Sequence, residues 1–169
     1  GISARTDVLI ADGDISIVSG GGSSKTVSGT ASAKGIKAEV NLIIDGGTFS
    51  INSADDAVHS DGNLVVNGGT FTISTGDDAF HGESSIQFNG GTITIAKAYE
   101  GIESQSITIN NGTIHLTTSD DGINGAGGAT VSTQFGPATS GNLYINGGYI
   151  YVNSTGDGLD INGSITMTG

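Results

Sequence analysis

The chain has 169 residues, 17 acidic side chains against 5 basic ones, a formal net charge of -12, 30 glycines, one proline and no cysteine. That length bounds one domain or a piece of one. The charge excludes a phosphate-binding role, because nucleic acid rewards basic surfaces, and turns attention to cations or to ligands bridged by cations. Disulfides are unavailable, and no apolar run approaches the roughly 18–20 residues of a membrane-spanning helix.

Glycine weakens helices, and the abundant Thr, Ile and Val favour strands; no long helical periodicity is visible. In chain order, Gly1-Ile2 resembles Gly35-Ile36 further on, so the first residues read as the middle of a turn. SGGGSSKTVSGTASA (19–33) is a Gly/Ser-rich interruption. From Lys34 onward a repeat sets in, with Lys34, Asp56, Asp78, Glu100, Asp121 and Asp157 in one column at spacings of 22, 22, 22, 21 and 36 residues.

Each repeat has the same grammar. A small residue follows the column position (Gly35, Ala57, Ala79, Gly101, Gly122, Gly158), and a large apolar residue follows that (Ile36, Val58, Phe80, Ile102, Ile123, Leu159). Two apolar residues then flank an outward one, as in Leu64 and Val66, Ile86 and Phe88, Ile107 and Ile109, Leu143 and Ile145. An Asn-Gly-Gly type of turn leads to a second alternating pair: Phe71 and Ile73, Ile93 and Ile95, Ile114 and Leu116, Ile150 and Val152. The 36-residue spacing is one coil plus the stretch GAGGATVSTQFGPATSG (125–141), the second interruption. The last residues, SITMTG, stop where Gly169 aligns with Gly68.

Three short strands per 21 to 22 residues cannot bury an apolar face alone, but stacked coils can, each pairing with the next at about 4.8 Å. The expected fold is all-β, a parallel β-solenoid of about seven coils, one domain over residues 1–169 with loop insertions near 19–33 and 125–141. Both ends read as open strand edges, which invite pairing. End-to-end self-association into a fibre is therefore the main alternative role.

Stacking brings the column acids one coil apart, where two charges repel by roughly 3 kcal/mol at an effective dielectric near 20. A cation between them relieves that. The preceding column (Asp55, Asp77, Asp120), the column three on (Glu103, Asp160) and the column five on (Glu39, Asp61, Glu83) bring 13 of the 17 acids to this corner. Calcium takes six to eight oxygens at about 2.3–2.6 Å, so two carboxylates a coil apart both reach one ion. Solvated turns, which favour Asp, are the plain alternative. His59 and His81 share a column but are not needed by a hard oxygen site; they read as surface groups or as groups backing the ligands. Asn67, Asn89, Asn110 and Asn146 read as a turn or amide ladder rather than as ligands.

The segments DDAVHSDGNLVVNGGTFTISTGDDAFHGESSIQFNGGTITI, YEGIES and SDDGINGAGG resemble the carbohydrate-binding β-helix domain of secreted bacterial proteins. This is a family that binds cellulose and acidic sugars and is related in fold to polysaccharide lyases. The resemblance runs from about residue 34 to 169. It implies a right-handed parallel β-helix, an extracellular or cell-surface location, calcium at the acidic turns and a non-catalytic role in binding polysaccharide such as cellulose or polygalacturonate. Carried over by position, the calcium ligands are Asp55, Asp56, Asp77, Asp78, Glu100, Glu103, Asp120, Asp121, Asp157 and Asp160.

Sugar contact needs rings. Strand alternation sends Tyr144, Tyr149 and Tyr151 outward, with His115 one coil before Tyr151, and Tyr99 stands at the turn beside Glu100. These five are the candidate substrate-binding residues, against the plain alternative that they only cover the sheet. Lyases of this fold use a Lys or Arg base; Lys34 and Lys37 are the ones near the acidic turns, placed to neutralise the end of the acidic column. An ice-binding Thr array begins at Thr70, Thr72, Thr92 and Thr94 but is broken by His115, Tyr149 and Tyr151.

Overall fold

The computed structural model describes residues 1–28, 32–126 and 141–169. Among them twenty strands wind through seven coils. The first coil holds β1 (Ile2–Ala4), β2 (Val8–Ile10) and β3 (Asp14–Ser19), and the second β4 (Ile36–Ala38), β5 (Asn41–Ile44) and β6 (Thr48–Ser53). The third holds β7 (Val58–Ser60), β8 (Asn63–Val66) and β9 (Thr70–Thr75), and the fourth β10 (Phe80–Gly82), β11 (Ser85–Phe88) and β12 (Thr92–Lys97). Next come β13 (Ile102–Ser104), β14 (Ser106–Ile109) and β15 (Thr113–Thr117), then β16 (Ile123–Gly125), β17 (Asn142–Ile145) and β18 (Tyr149–Asn153). The seventh coil adds β19 (Leu159–Ile161) and β20 (Ser164–Met167).

Every third strand joins the same sheet. The first sheet runs β1-β4-β7-β10-β13-β16-β19, the second β2-β5-β8-β11-β14-β17-β20 and the third β3-β6-β9-β12-β15-β18. All pairs are parallel and advance by one repeat: Ile36 pairs with Val58, Val58 with Phe80, Phe80 with Ile102, and Ile102 with Ile123. Ile123 still pairs with Leu159 across the long spacing, so the register survives the interruption. The all-β parallel solenoid expected from the repeat is the observed architecture. Between β3 and β4 the described residues hold no strand. Residues 29–31 of the first expected insertion and 127–140 of the second lie outside the described residues.

Alternation explains the core. The inward pairs Leu64 and Val66, Ile86 and Phe88, Ile107 and Ile109 are fully buried, as are Phe71 and Ile73 on the third sheet. Identical positions meet their counterparts one coil away: the rings of Phe49 and Phe71 stack at 4.5 Å with only 6° between their planes. Phe80 then meets Phe71 and Phe88 edge-on at 5.7 and 5.2 Å. Between the second and third sheets the chain turns at Asn-Gly-Gly, where the second glycine adopts a positive φ, 104° at Gly69 and 102° at Gly91. A Cβ on Gly91 would also come within 3.0 Å of the Gly69 carbonyl oxygen, so both backbone and space demand glycine there.

The asparagine column is an amide ladder. Asn67 donates from Nδ2 to Asp45 at 2.7 Å, Asn89 to Asn67 at 2.7 Å, Asn110 to Asn89 at 2.8 Å and Asn146 to Asn110 at 2.8 Å. It fixes the corner between the second and third sheets. The acidic turns occupy the corner between the third and first.

Candidate functional site: an acidic corner

The turn after each third-sheet strand carries the acidic column, and the next strand of the first sheet points its middle residue outward beside it. Strand pairing lines those middle residues up as Lys37, His59, His81, Glu103, Asn124 and Asp160. The corner is thus a ridge two side chains wide. It is cationic at its N-terminal end, mixed in the middle and purely acidic or amide beyond.

Asp56, Asp78 and Asp121 each spend one oxygen on the coil above. Asp56 Oδ1 accepts the Asp78 N–H at 3.2 Å, Asp78 Oδ1 the Glu100 N–H at 3.3 Å, and Asp121 Oδ1 the Asp157 N–H at 2.7 Å. The other oxygen is free for chemistry, and the neighbours decide what it does. Asp56 is 2% exposed, and its Oδ2 accepts from Lys34 Nζ at 2.5 Å and lies 2.8 Å from His59 Nδ1. Lys34 also reaches Asp55 Oδ1 at 2.9 Å. Burial by itself pushes the Asp56 carboxyl up, but the His59 hydrogen bond and the Lys34 ammonium outweigh it and hold it at about 2.

His59 is buried rather than at the surface, pinned between Asp56 and Asp61 Oδ1, the latter 2.6 Å from its Nε2. His81 lies 4.9 Å from it, ring centre to ring centre. Its Nδ1 stands 3.1 Å from Asp78 Oδ2, 3.3 Å from Glu103 Oε2 and 3.9 Å from Asp56 Oδ2. The group between the Asp56 and Asp78 carboxylates is therefore an imidazole. Burial lowers the His81 pKa, yet the Asp78 hydrogen bond and the charges of Asp56 and Glu103 raise it to about 9. Glu103 is pushed up to about 7 by burial and by its hydrogen bond to Asp78.

Glu100 sits one coil on. Its Oε1 accepts from Asn124 Nδ2 at 2.8 Å, while Oε2 is buried with no hydrogen-bond partner. Burial, reinforced by the charges of Glu103 and Asp121, raises this carboxyl to about 7. Asp56, His59, Asp78, His81, Glu100 and Glu103 line one open cavity of about 500 Å³, with Tyr99 at its rim.

Three donor groups have ligating atoms within 4.8 Å of one another: Asp56 with His59 and His81, Asp78 with His81 and Glu103, and Asp55 with Asp56 and Asp77. The corner thus has acidic and imidazole groups able to hold a metal. Of the ten acids expected as calcium ligands, the structure gathers Asp55, Asp56, Asp77, Asp78 and Glu103 into these groups. The all-oxygen trio already receives the Lys34 ammonium. Further along, Glu100, Asp120, Asp121, Asp157 and Asp160 offer only oxygens and, among the described residues, have no basic partner. An all-oxygen donor set of that kind is the chemistry that a hard cation takes.

The candidate sugar contacts fall on three faces. Tyr149 and Tyr151 on β18 are 57% and 49% exposed, and His115 on β15 packs against both, ring centres at 5.5 and 5.6 Å. Those three share the outer face of the third sheet. Tyr144 is exposed on the second sheet, and Tyr99 hydrogen-bonds to Asp120, which pushes its phenol up to about 12.

A family model described as carbohydrate-binding domain-containing protein matches residues 1–79 and 78–122. The chain belongs to this family. No curated protein and no solved structure matches it. The matched residues begin at the first coil, ahead of the segment near residue 34 where the resemblance sets in, and include the whole cavity. Family membership supports a carbohydrate-binding role.

Sequence reasoning placed the acids and the rings but passed over His59, His81 and Asn124 as site residues. The available signal was their column: three positions after each turn acid, the chain reads His59, His81, Glu103, Asn124, Asp160. An outward strand position that alternates imidazole with acid facing a turn carboxylate is a donor set.

Proposed function

We propose that this chain is a non-catalytic carbohydrate-binding module for an acidic cell-wall polysaccharide of the polygalacturonate type, bound through calcium on the C-terminal half of the acidic ridge. The supporting observation is the asymmetry of that ridge. Its N-terminal coils set Lys34, Lys37, His59 and His81 against their acids, whereas Asp120, Asp121, Asp157 and Asp160 have no basic partner among the described residues. An acidic sugar cannot approach that surface unaided; a divalent cation coordinated by both makes the contact favourable. Tyr149, Tyr151 and His115, on the adjoining face, supply ring surface for stacking. Neutral cellulose is the lesser candidate, because only that ring platform would serve it. An extracellular or cell-surface location goes with either substrate.

A non-catalytic role is supported by the state of the bases. Burial lowers the Lys34 pKa, but the Asp56 and Asp55 carboxylates raise it to a net upward shift, so the ammonium holds its proton instead of taking one from substrate. Lys37 is engaged by Asp61 at 3.3 Å.

Retention on insoluble polygalacturonate and on cellulose, with calcium and with a chelator, tests the proposal. Calcium-dependent retention on polygalacturonate is expected, weakened by Tyr149→Ala with Tyr151→Ala. Loss of retention on both polymers under calcium would remove it, and release of unsaturated, ultraviolet-absorbing product from pectate would remove the non-catalytic part.

A further inference from the structure

We propose that Asp78, His81 and Glu103, with Asp56 and His59 beside them, form a binding site for a divalent transition-metal ion of the zinc class, separate from any calcium on the C-terminal half of the ridge. Zinc holds nitrogen and oxygen donors at about 2.0–2.2 Å in a tetrahedron, which sets neighbouring donors about 3.3–3.6 Å apart. His81 Nδ1 lies 3.1 Å from Asp78 Oδ2 and 3.3 Å from Glu103 Oε2, with Asp56 Oδ2 next at 3.9 Å. Spacing of that kind suits several ions; the imidazole narrows the class. Nitrogen donors suit zinc, copper, nickel and iron, whereas calcium takes oxygen.

The orientation of the rings is the second observation. Each imidazole turns Nδ1 toward the acidic column and Nε2 toward an outer carboxylate, His59 to Asp61 Oδ1 at 2.6 Å and His81 to Glu83 Oε1 at 3.5 Å. For His59 the far nitrogen is hydrogen-bonded to that carboxylate, the arrangement that orients metal-binding histidines; for His81 the carboxylate stands farther off. In metal-free protein a proton occupies the short contact between His81 Nδ1 and Asp78 Oδ2, the place that a metal ion would take. A third observation is independent of both. Glu100, only 8% exposed, lines the same cavity with an Oε2 that has no hydrogen-bond partner.

The inference stands apart from the calcium and carbohydrate proposals and is tested without polysaccharide. Isothermal titration of the chelator-stripped full chain with zinc, in millimolar calcium, should show one equivalent bound with a Kd of about 1 μM or tighter. Asp61→Asn should weaken binding about tenfold through loss of the carboxylate that orients His59, and His81→Ala should abolish the site. Because His81→Ala alters a buried network, nitrogen NMR of the wild-type imidazoles provides a second readout. Zinc should move Nδ1 of His81 and leave His115 unchanged. Absence of zinc binding, displacement of zinc by calcium, or a zinc-induced shift confined to His115 would overturn the inference.

Discussion

Asp56 shows how one carboxylate serves two ends. One oxygen takes the N–H of Asp78 in the coil above, and the other takes Lys34 and His59. Removing the ammonium leaves a buried carboxylate short of its counter-charge, a change of the kind that costs about 3 kcal/mol or more. Lys34→Met should therefore lower unfolding stability by about that amount in urea titrations, with no change in fold by circular dichroism. The same corner sets a pH dependence in metal-free protein. Glu100 and Glu103, raised to about 7, and His81, raised to about 9, keep protons that the unfolded chain has already released. Stability contributed by these groups is fully present below their unfolded values and is lost as pH rises through the folded ones. The melting temperature in chelator should fall between pH 5 and pH 9, on the order of the window those shifts define. A profile that rises across that window would contradict this assignment of charges.

Strands and turns repeat these bonds down the rod. Because each coil contacts only its neighbours, stability is close to a sum of coil and interface contributions, and a fault in one ladder stays local. Gly91 belongs to the turn ladder, with φ of 102° and a carbonyl oxygen 3.0 Å from where a Cβ would sit. Gly91→Ala should cost about 1–3 kcal/mol, read as a lower urea midpoint with an unchanged slope. These elements were legible in the sequence for a plain reason. Alternation of period two fixed which of Leu64, Val65 and Val66 faces inward, and the 22-residue recurrence fixed what each residue meets one coil away. The asparagine column was legible too, since amides at a fixed repeat have one another as nearest partners. His59 and His81 were harder to see. An isolated histidine on an outward strand position is usually solvated, and only the coordinates show each ring bent back between a turn carboxylate and an outer one. The free oxygen of Glu100 was likewise invisible, because it depends on Asn124 taking the other oxygen.

Along the whole rod, the corner runs from lysines and histidines to bare carboxylates. The N-terminal coils pair their acids with lysine and histidine, while the C-terminal acids have no basic partner among the described residues, and the proposed calcium bridge falls there. Under that proposal an extended polymer is the expected ligand, since column carboxylates recur from Asp56 to Asp157 at about 4.8 Å per coil. The most direct measurement is affinity electrophoresis through a gel containing polygalacturonate, with calcium or with chelator, comparing the native chain with Asp121→Asn/Asp157→Asn. Asparagine keeps an acceptor for the Asp121 bond to the next coil while removing the charge. Calcium-dependent retardation of the native chain, lost in the double variant and in chelator, is the predicted result; equal mobility of both chains in calcium would contradict it.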